Sequence, residues 1–199
     1  MMTEVLPGLF HWYVVWPEYR LECYWLRTED GSVLIDPLEG IGLDEIEQAG
    51  DCRAVIITSH WHERSALLFA KRTGAPIYVP EGHTDRLELA ETYHTYRDGD
   101  ALPGGLRAIW VLDECALLSE LHGGTLIVGD ALGTTGKWAP GGIPLGLHPR
   151  GLPPRTTLSP AEILGHLLDY EFRNLFPAHG LGLIGDGKTK VAALIGAAG

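Results

Sequence analysis

The sequence is poor in cysteine and in basic residues, and it has no long apolar run. Its three cysteines, Cys23, Cys52 and Cys115, stand far apart in 199 residues. That spacing argues against a disulfide framework or a cysteine-ligated zinc site and suits a reducing compartment. Lysine and arginine number 15 against 26 aspartates and glutamates, for a formal charge of -11. Such a surface repels nucleic-acid phosphates and offers no basic face to anionic lipid. No window approaches a membrane span, and residues 1–7 carry neither a basic region nor an apolar stretch long enough for export. The expectation is a cytoplasmic protein that meets a small-molecule substrate or ligand, with no nucleic acid and no membrane as partner. What is there, 45% hydrophobic residues without a shift in composition, can bury a substantial core, so residues 1–199 are read as a single domain.

Residues 9–16 and 21–27 are aromatic and β-branched and read as strands. Asp30-Gly31 tolerates positive φ and turns the second strand back into 32–35, which stops at Asp36-Pro37. Residues 42–50 form a short helix between glycines, 53–58 a buried strand, 65–73 a helix stopped by Gly74, 75–79 a strand, and 83–93 another amphipathic helix. This alternation predicts an α/β fold. From Leu106 the strands follow one another, at 106–112, 115–120 and 125–128, as in a meander. Residues 133–157 make a long loop rich in glycine and proline, a length usually found in functional lids or disordered segments. Ser159-Pro160-Ala161-Glu162 starts a helix to about Phe172, a strand at 174–177 delivers His179, and a last helix runs from about Asp186.

Four strands thus end in residues that ligate or orient metals: Asp36, His60 with His62, Asp130, and His179. Loops at strand ends are where sites usually sit. On an extended backbone alternate side chains share a side, so His60 and His62 are expected to face one point, where neutral imidazoles suit zinc or iron. Gly129, just before Asp130, lets another group come close to the backbone. His11, His83, His94, His122 and His166 are assigned to structure or surface, away from these strand ends.

The ordered pieces Leu34-Ile35-Asp36-Pro37, Thr58-Ser59-His60-Trp61-His62, Leu126-Ile127-Val128-Gly129-Asp130 and Phe176-Pro177-Ala178-His179-Gly180 resemble the metallo-β-lactamase superfamily over nearly the whole chain. The resemblance implies an αββα sandwich, two mixed sheets face to face with helices outside. It also implies a metal at His60, His62, Asp130 and His179, with Asp36, Arg64 and Ser65 around them. The chain departs from the family pattern in two places. Arg64-Ser65 stands where the family has Asp-His, and no Gly-His loop precedes the strand at Cys115, which leaves Asp113 and Glu114 as the nearest substitutes. Arg64 is accordingly expected where a second metal would lie, paired with Asp130 or Asp36.

The reaction implied is hydrolysis of an ester-, thioester- or lactone-like bond by water activated on one zinc or iron ion, with Asp130 or Glu114 as ligand or proton acceptor. The alternative is an inactive member that kept the fold and a binding pocket and lost the metal. Trp138, His148 and Arg150 in the long loop are placed to contact a substrate. Residues 182–189 satisfy a phosphate-loop pattern, but too few residues follow for a nucleotide fold, and Asp186 reads instead as the cap of the last helix.

Overall fold

The computed structural model of the protein describes residues 2–16, 19–40, 42–88, 92–134, 145–147 and 158–197. One sheet runs β1 (Thr3–Leu6), β2 (Leu9–Trp16), β3 (Tyr19–Thr28), β4 (Gly31–Ile35), β5 (Cys52–Ile56), β6 (Ile77–Pro80) and β7 (Tyr93–Tyr96), in that spatial order. Its first four strands pair antiparallel through short turns, and β4 to β7 are parallel. Parallel neighbours need crossovers, and α1 (Leu43–Ala49) and α2 (Ala66–Thr73) provide those to β5 and β6. The second sheet has the order β14 (Asn174–Pro177), β11 (Thr125–Val128), β10 (Glu114–Ser119), β9 (Leu106–Val111), β8 (Ala101–Leu102). Only the β11–β14 pair in it is parallel. A short ribbon, β12 (Leu132–Gly133) with β13 (Gly146–Leu147), follows β11, and α3 (Pro160–Leu164) and α4 (Gly187–Gly196) complete the elements.

Alternation along the strands sorts the apolar residues into three layers. Val33 and Ile35 of β4, Ala54 and Ile56 of β5, and Ile127 of β11 face a core between the sheets, with Leu117 and Phe176. The alternate residues Leu34, Val55 and Ile57 point outward, under Ile46 of α1 and Phe69 of α2. Leu126, Val128 and Leu175 do the same on the second sheet, under Ile163 of α3 and Val191 of α4. Helices outside and two sheets inside make the expected αββα sandwich. No helix among the described residues is long and apolar enough to cross a membrane.

Several elements differ from expectation. Strand β1 adds a strand before the first one expected. Residues 83–93 are not one helix: Glu81–Arg86 is a 3-10 turn, and Tyr93–Tyr96 joins the sheet beside β6. Tyr-His-Thr-Tyr is good strand material, and its pairing buries Tyr96, whose hydroxyl donates to the Ile57 carbonyl at 2.7 Å. The helix at Ser159 has its capping box but gives way at Gly165 to a 3-10 turn. Asp186 stands at the N-cap of α4, yet no helix N–H reaches its side chain, and its carboxylate lies 3.6 Å from Lys190 Nζ. Gly182 and Gly187 pack on Phe176 and Leu175, so these glycines serve packing on β14.

Candidate metal centre

The parallel strands β4, β5 and β6 end at one edge of their sheet, as β11 and β14 do in the other. The two edges are tied together there. Tyr24 donates its hydroxyl to the Pro177 carbonyl at 2.6 Å, and the Glu22 N–H bonds the Ala178 carbonyl at 2.8 Å.

Asp36 follows β4 in a left-handed conformation with φ 50° and is buried. Its carboxylate accepts the Thr58 N–H at 2.8 Å, the Thr58 hydroxyl at 2.7 Å and His62 Nδ1 at 2.8 Å. His62 Nδ1 also lies 2.8 Å from the Thr58 hydroxyl oxygen, so both neighbours fix a proton on that nitrogen. The opposite nitrogen, Nε2, lies 3.2 Å from Asp130 Oδ1. His179, just past β14, is oriented in the same way. Its Nδ1 donates to the Arg20 carbonyl at 3.1 Å, and its Nε2 lies 2.8 Å from the same Asp130 Oδ1. His62, Asp130 and His179 are all buried, and one ligand atom from each lies within 4.8 Å of the others.

Two imidazole nitrogens on one carboxylate oxygen call for positive charge between them. Burial and the Arg64 charge push the His62 pKa down, but Asp36 and Asp130 overcome them and raise it to about 9. Burial opposes the charge of Asp130 as well, yet His62 and His179 hold its pKa well below the usual carboxylate range. The donor set fits a divalent metal ion. Each imidazole has its outer nitrogen tied to a fixed acceptor, which leaves Nε2 as the ligating atom, and the carboxylate completes a two-histidine, one-carboxylate group.

Glu114 lies behind this group. Its two oxygens accept the N–H groups of Asp130 and Ala131, the second at 2.7 Å. Burial and the nearby Asp130 charge raise its pKa to about 8. Gly129 leaves the room for this, because a Cβ there would meet Glu114 Oε2 at 2.6 Å and Thr58 Oγ1 at 2.8 Å.

His60 goes elsewhere. His60–His62 is a 3-10 turn and not extended backbone, and at three residues per turn positions i and i+2 point to different sides. His60 Nδ1 lies 2.8 Å from His83 Nδ1, and the His60 N–H donates to that same His83 nitrogen at 2.9 Å. His83, expected to be away from the strand ends, is fully buried, and its Nε2 lies 3.6 Å from Asp113 Oδ1. His60, His83 and Asp113 form a second group of donors within 4.8 Å of one another. The signal for His83 was its place just after β6, on the edge where β4 and β5 also end; a helical reading of 83–93 hid it.

Arg64 adopts φ 43° and turns its Nη1 to the carbonyls of Glu22, at 2.7 Å, and Asp36, at 2.9 Å. It thus bonds the main chain of Asp36; burial pushes the Asp36 pKa up, but His62 and, behind it, the Arg64 charge bring it below the ordinary value. The Ser65 hydroxyl accepts the Glu39 N–H at 2.9 Å and orders the loop after β4. Asp113 is half-exposed and bonds Arg86 at 2.9 Å. Sequence reasoning also passed over Glu22, a buried acid paired with Arg20 and His11. Trp138, His148 and Arg150 lie outside the described residues.

A sequence model of the metallo-beta-lactamase superfamily matches residues 2–138 of the chain. Similar solved structures include a metallo-beta-lactamase family protein from Thermus thermophilus, 18% identical with a TM-score of 0.67, covering 98% of this chain and 80% of that one. The metallo-beta-lactamase from Pontibacter korlensis is 14% identical with a TM-score of 0.71 and 98% coverage of both chains. The metallo-beta-lactamase FIM-1 from Pseudomonas aeruginosa, in a mono-zinc form, is 12% identical with a TM-score of 0.67, covering 100% of this chain and 95% of that one. Among curated proteins none matches. At these identities the structural likeness speaks for the fold.

Proposed function

The chain belongs to the metallo-beta-lactamase superfamily, and from that premise we propose that it is a hydrolase working with one zinc or iron ion held by His62, Asp130 and His179. The observation that carries this reading is the tying of both Nδ1 atoms to fixed acceptors while both Nε2 atoms face Asp130. When bound, the ion supplies Lewis acidity to a water or a substrate oxygen. The chain's own residues prepare the place. Asp36 and Thr58 keep the proton on His62 Nδ1, and the Arg20 carbonyl does so for His179. Asp130 stays ionised across the neutral range. Glu114 grips the main chain of Asp130 and Ala131, which makes it a positioning residue for the carboxylate.

The substrate class is an ester-, thioester- or lactone-like bond in a small molecule, since the formal charge of -11 disfavours a polyanion. One observation favours the rival reading, a binding protein without metal. The chain from Asp36 through His62 and Asp130 to His179 also satisfies itself with protons alone.

Elemental analysis of the purified protein after dialysis against metal-free buffer and re-soaking with zinc or ferrous iron separates the two. The hydrolase reading expects bound metal that is lost in His62→Ala and in His179→Ala, together with hydrolysis of aryl ester or thioester probes. Protein that takes up no metal on soaking would leave only the binding reading.

A further inference from the structure

We infer that His83 is a positioning residue that holds His60 as its Nδ1–H tautomer, so that Nε2 is the atom through which His60 can donate a lone pair. A main-chain amide carries the one proton whose place is certain. The His60 N–H points at His83 Nδ1 from 2.9 Å, so that nitrogen is the acceptor and carries no hydrogen. His60 Nδ1 lies 2.8 Å from the same atom. Two bare lone pairs at that distance would repel, so His60 Nδ1 must carry a proton and share the acceptor with its own amide. In neutral rings the remaining places follow. His60 is left with a free lone pair on Nε2, and His83 has its proton on Nε2.

The surroundings of His83 agree with this assignment. Its Nε2 is buried and completes no hydrogen bond among the described residues. It is turned toward Asp113 Oδ1, the acceptor suited to an N–H, at 3.6 Å. Arg86 holds the other Asp113 oxygen at 2.9 Å, which aims the carboxylate. The Trp110 ring stands edge-on to the imidazole at 5.9 Å and limits its rotation. Asp113, His83 and His60 therefore form a directed chain. This also decides against a second cation site on the same three residues, although their donor atoms lie within 4.8 Å of one another. A His83 ring that accepts an amide at Nδ1 has its proton on Nε2 and no lone pair left for a metal.

His60 stands outside the proposed donor set of His62, Asp130 and His179, so the inference concerns the His60 ring itself. Ring-nitrogen NMR on 15N-histidine-labelled, metal-free protein tests the inference directly, with His83→Ala and His83→Asn beside the wild type. The asparagine keeps an acceptor oxygen near the place of Nδ1 and offers no imidazole. The wild type and His83→Asn should show His60 as Nδ1–H, and His83→Ala should let it move to the Nε2–H form common in free imidazole. A His60 tautomer that is the same in all three proteins would overturn the inference.

Zinc titration of the same proteins gives the second readout. Zinc stoichiometry equal to that of the wild type in both His83→Ala and His83→Asn supports the assignment, because a His83 ring with no free lone pair ligates nothing. Loss of a whole zinc equivalent in His83→Asn would make His83 a ligand and refute it. If no variant binds zinc, the hydrolase reading falls, while the NMR result still decides the tautomer.

Discussion

At the scale of the residue, His62 sets the pH response of the metal-free protein. Its folded pKa of about 9 stands above the unfolded value of 6.5. The folded state therefore binds the extra proton, and the stabilisation is fully present below pH 6.5 and lost as pH rises through about 9. At about 1.4 kcal/mol per pH unit the shift is worth about 3 kcal/mol. Glu114 acts in the same direction, from 4.5 up to about 8. Urea denaturation of metal-stripped protein should show a midpoint that falls between pH 6.5 and 9, with a shallower fall in His62→Gln. A midpoint that is flat or rises over that interval would show that His62 is not held as a cation. Arg64 teaches a related lesson about single residues. Its type and position in the sequence suggest a partner for a carboxylate, but its φ of 43° carries the guanidinium to two main-chain carbonyls instead. Nothing in the side-chain chemistry of the sequence announces a left-handed arginine.

At the scale of the element, the end of β11 is where packing and site meet. Replacing Gly129 by alanine puts a methyl group 2.6 Å from Glu114 Oε2 and 2.8 Å from Thr58 Oγ1. Both atoms belong to the support of the centre, so the substitution should cost about 1–3 kcal/mol in urea denaturation and weaken zinc uptake. Gly165→Ala is the control, since none of the described residues lies within 4 Å of the added atom. Equal stability of the two variants would mean that Glu114 moves aside without cost. Most strands could be read from the sequence because short aromatic, β-branched or apolar runs bounded by turn residues mark buried strands: residues 9–16, 125–128 and 174–177 are strands with the expected bounds. The four strand ends that carry Asp36, His62, Asp130 and His179 followed from the same pattern. What could not be read was the path of three residues after β5. An extended stretch and a 3-10 turn differ by a change in ψ that Ser-His-Trp-His does not dictate, and that change sends His60 to His83. His83 was missed for a similar reason, because a turn after β6 and the start of a helix look alike until β7 claims Tyr93–Tyr96.

At the scale of the whole molecule, the centre exists only where two sheets meet. His62 is delivered by the first sheet, Asp130 and His179 by the second, and Tyr24 and Glu22 of β3 bond the far sheet at Pro177 and Ala178. Asp130 is 68 positions from His62 and 49 from His179 along the chain. Contacts of such separation close late, after the entropy of long loops has been overcome. An ion finds no assembled donors until both sheets have paired, so its binding free energy belongs to the finished structure and not to the barrier before it. Refolding from denaturant should therefore run at one rate with or without zinc, while unfolding slows as occupancy rises. Stopped-flow traces in which zinc speeds refolding would place the donors together before the barrier. With donors so far apart along the chain, a bound ion prolongs the life of a fold that it takes no part in building.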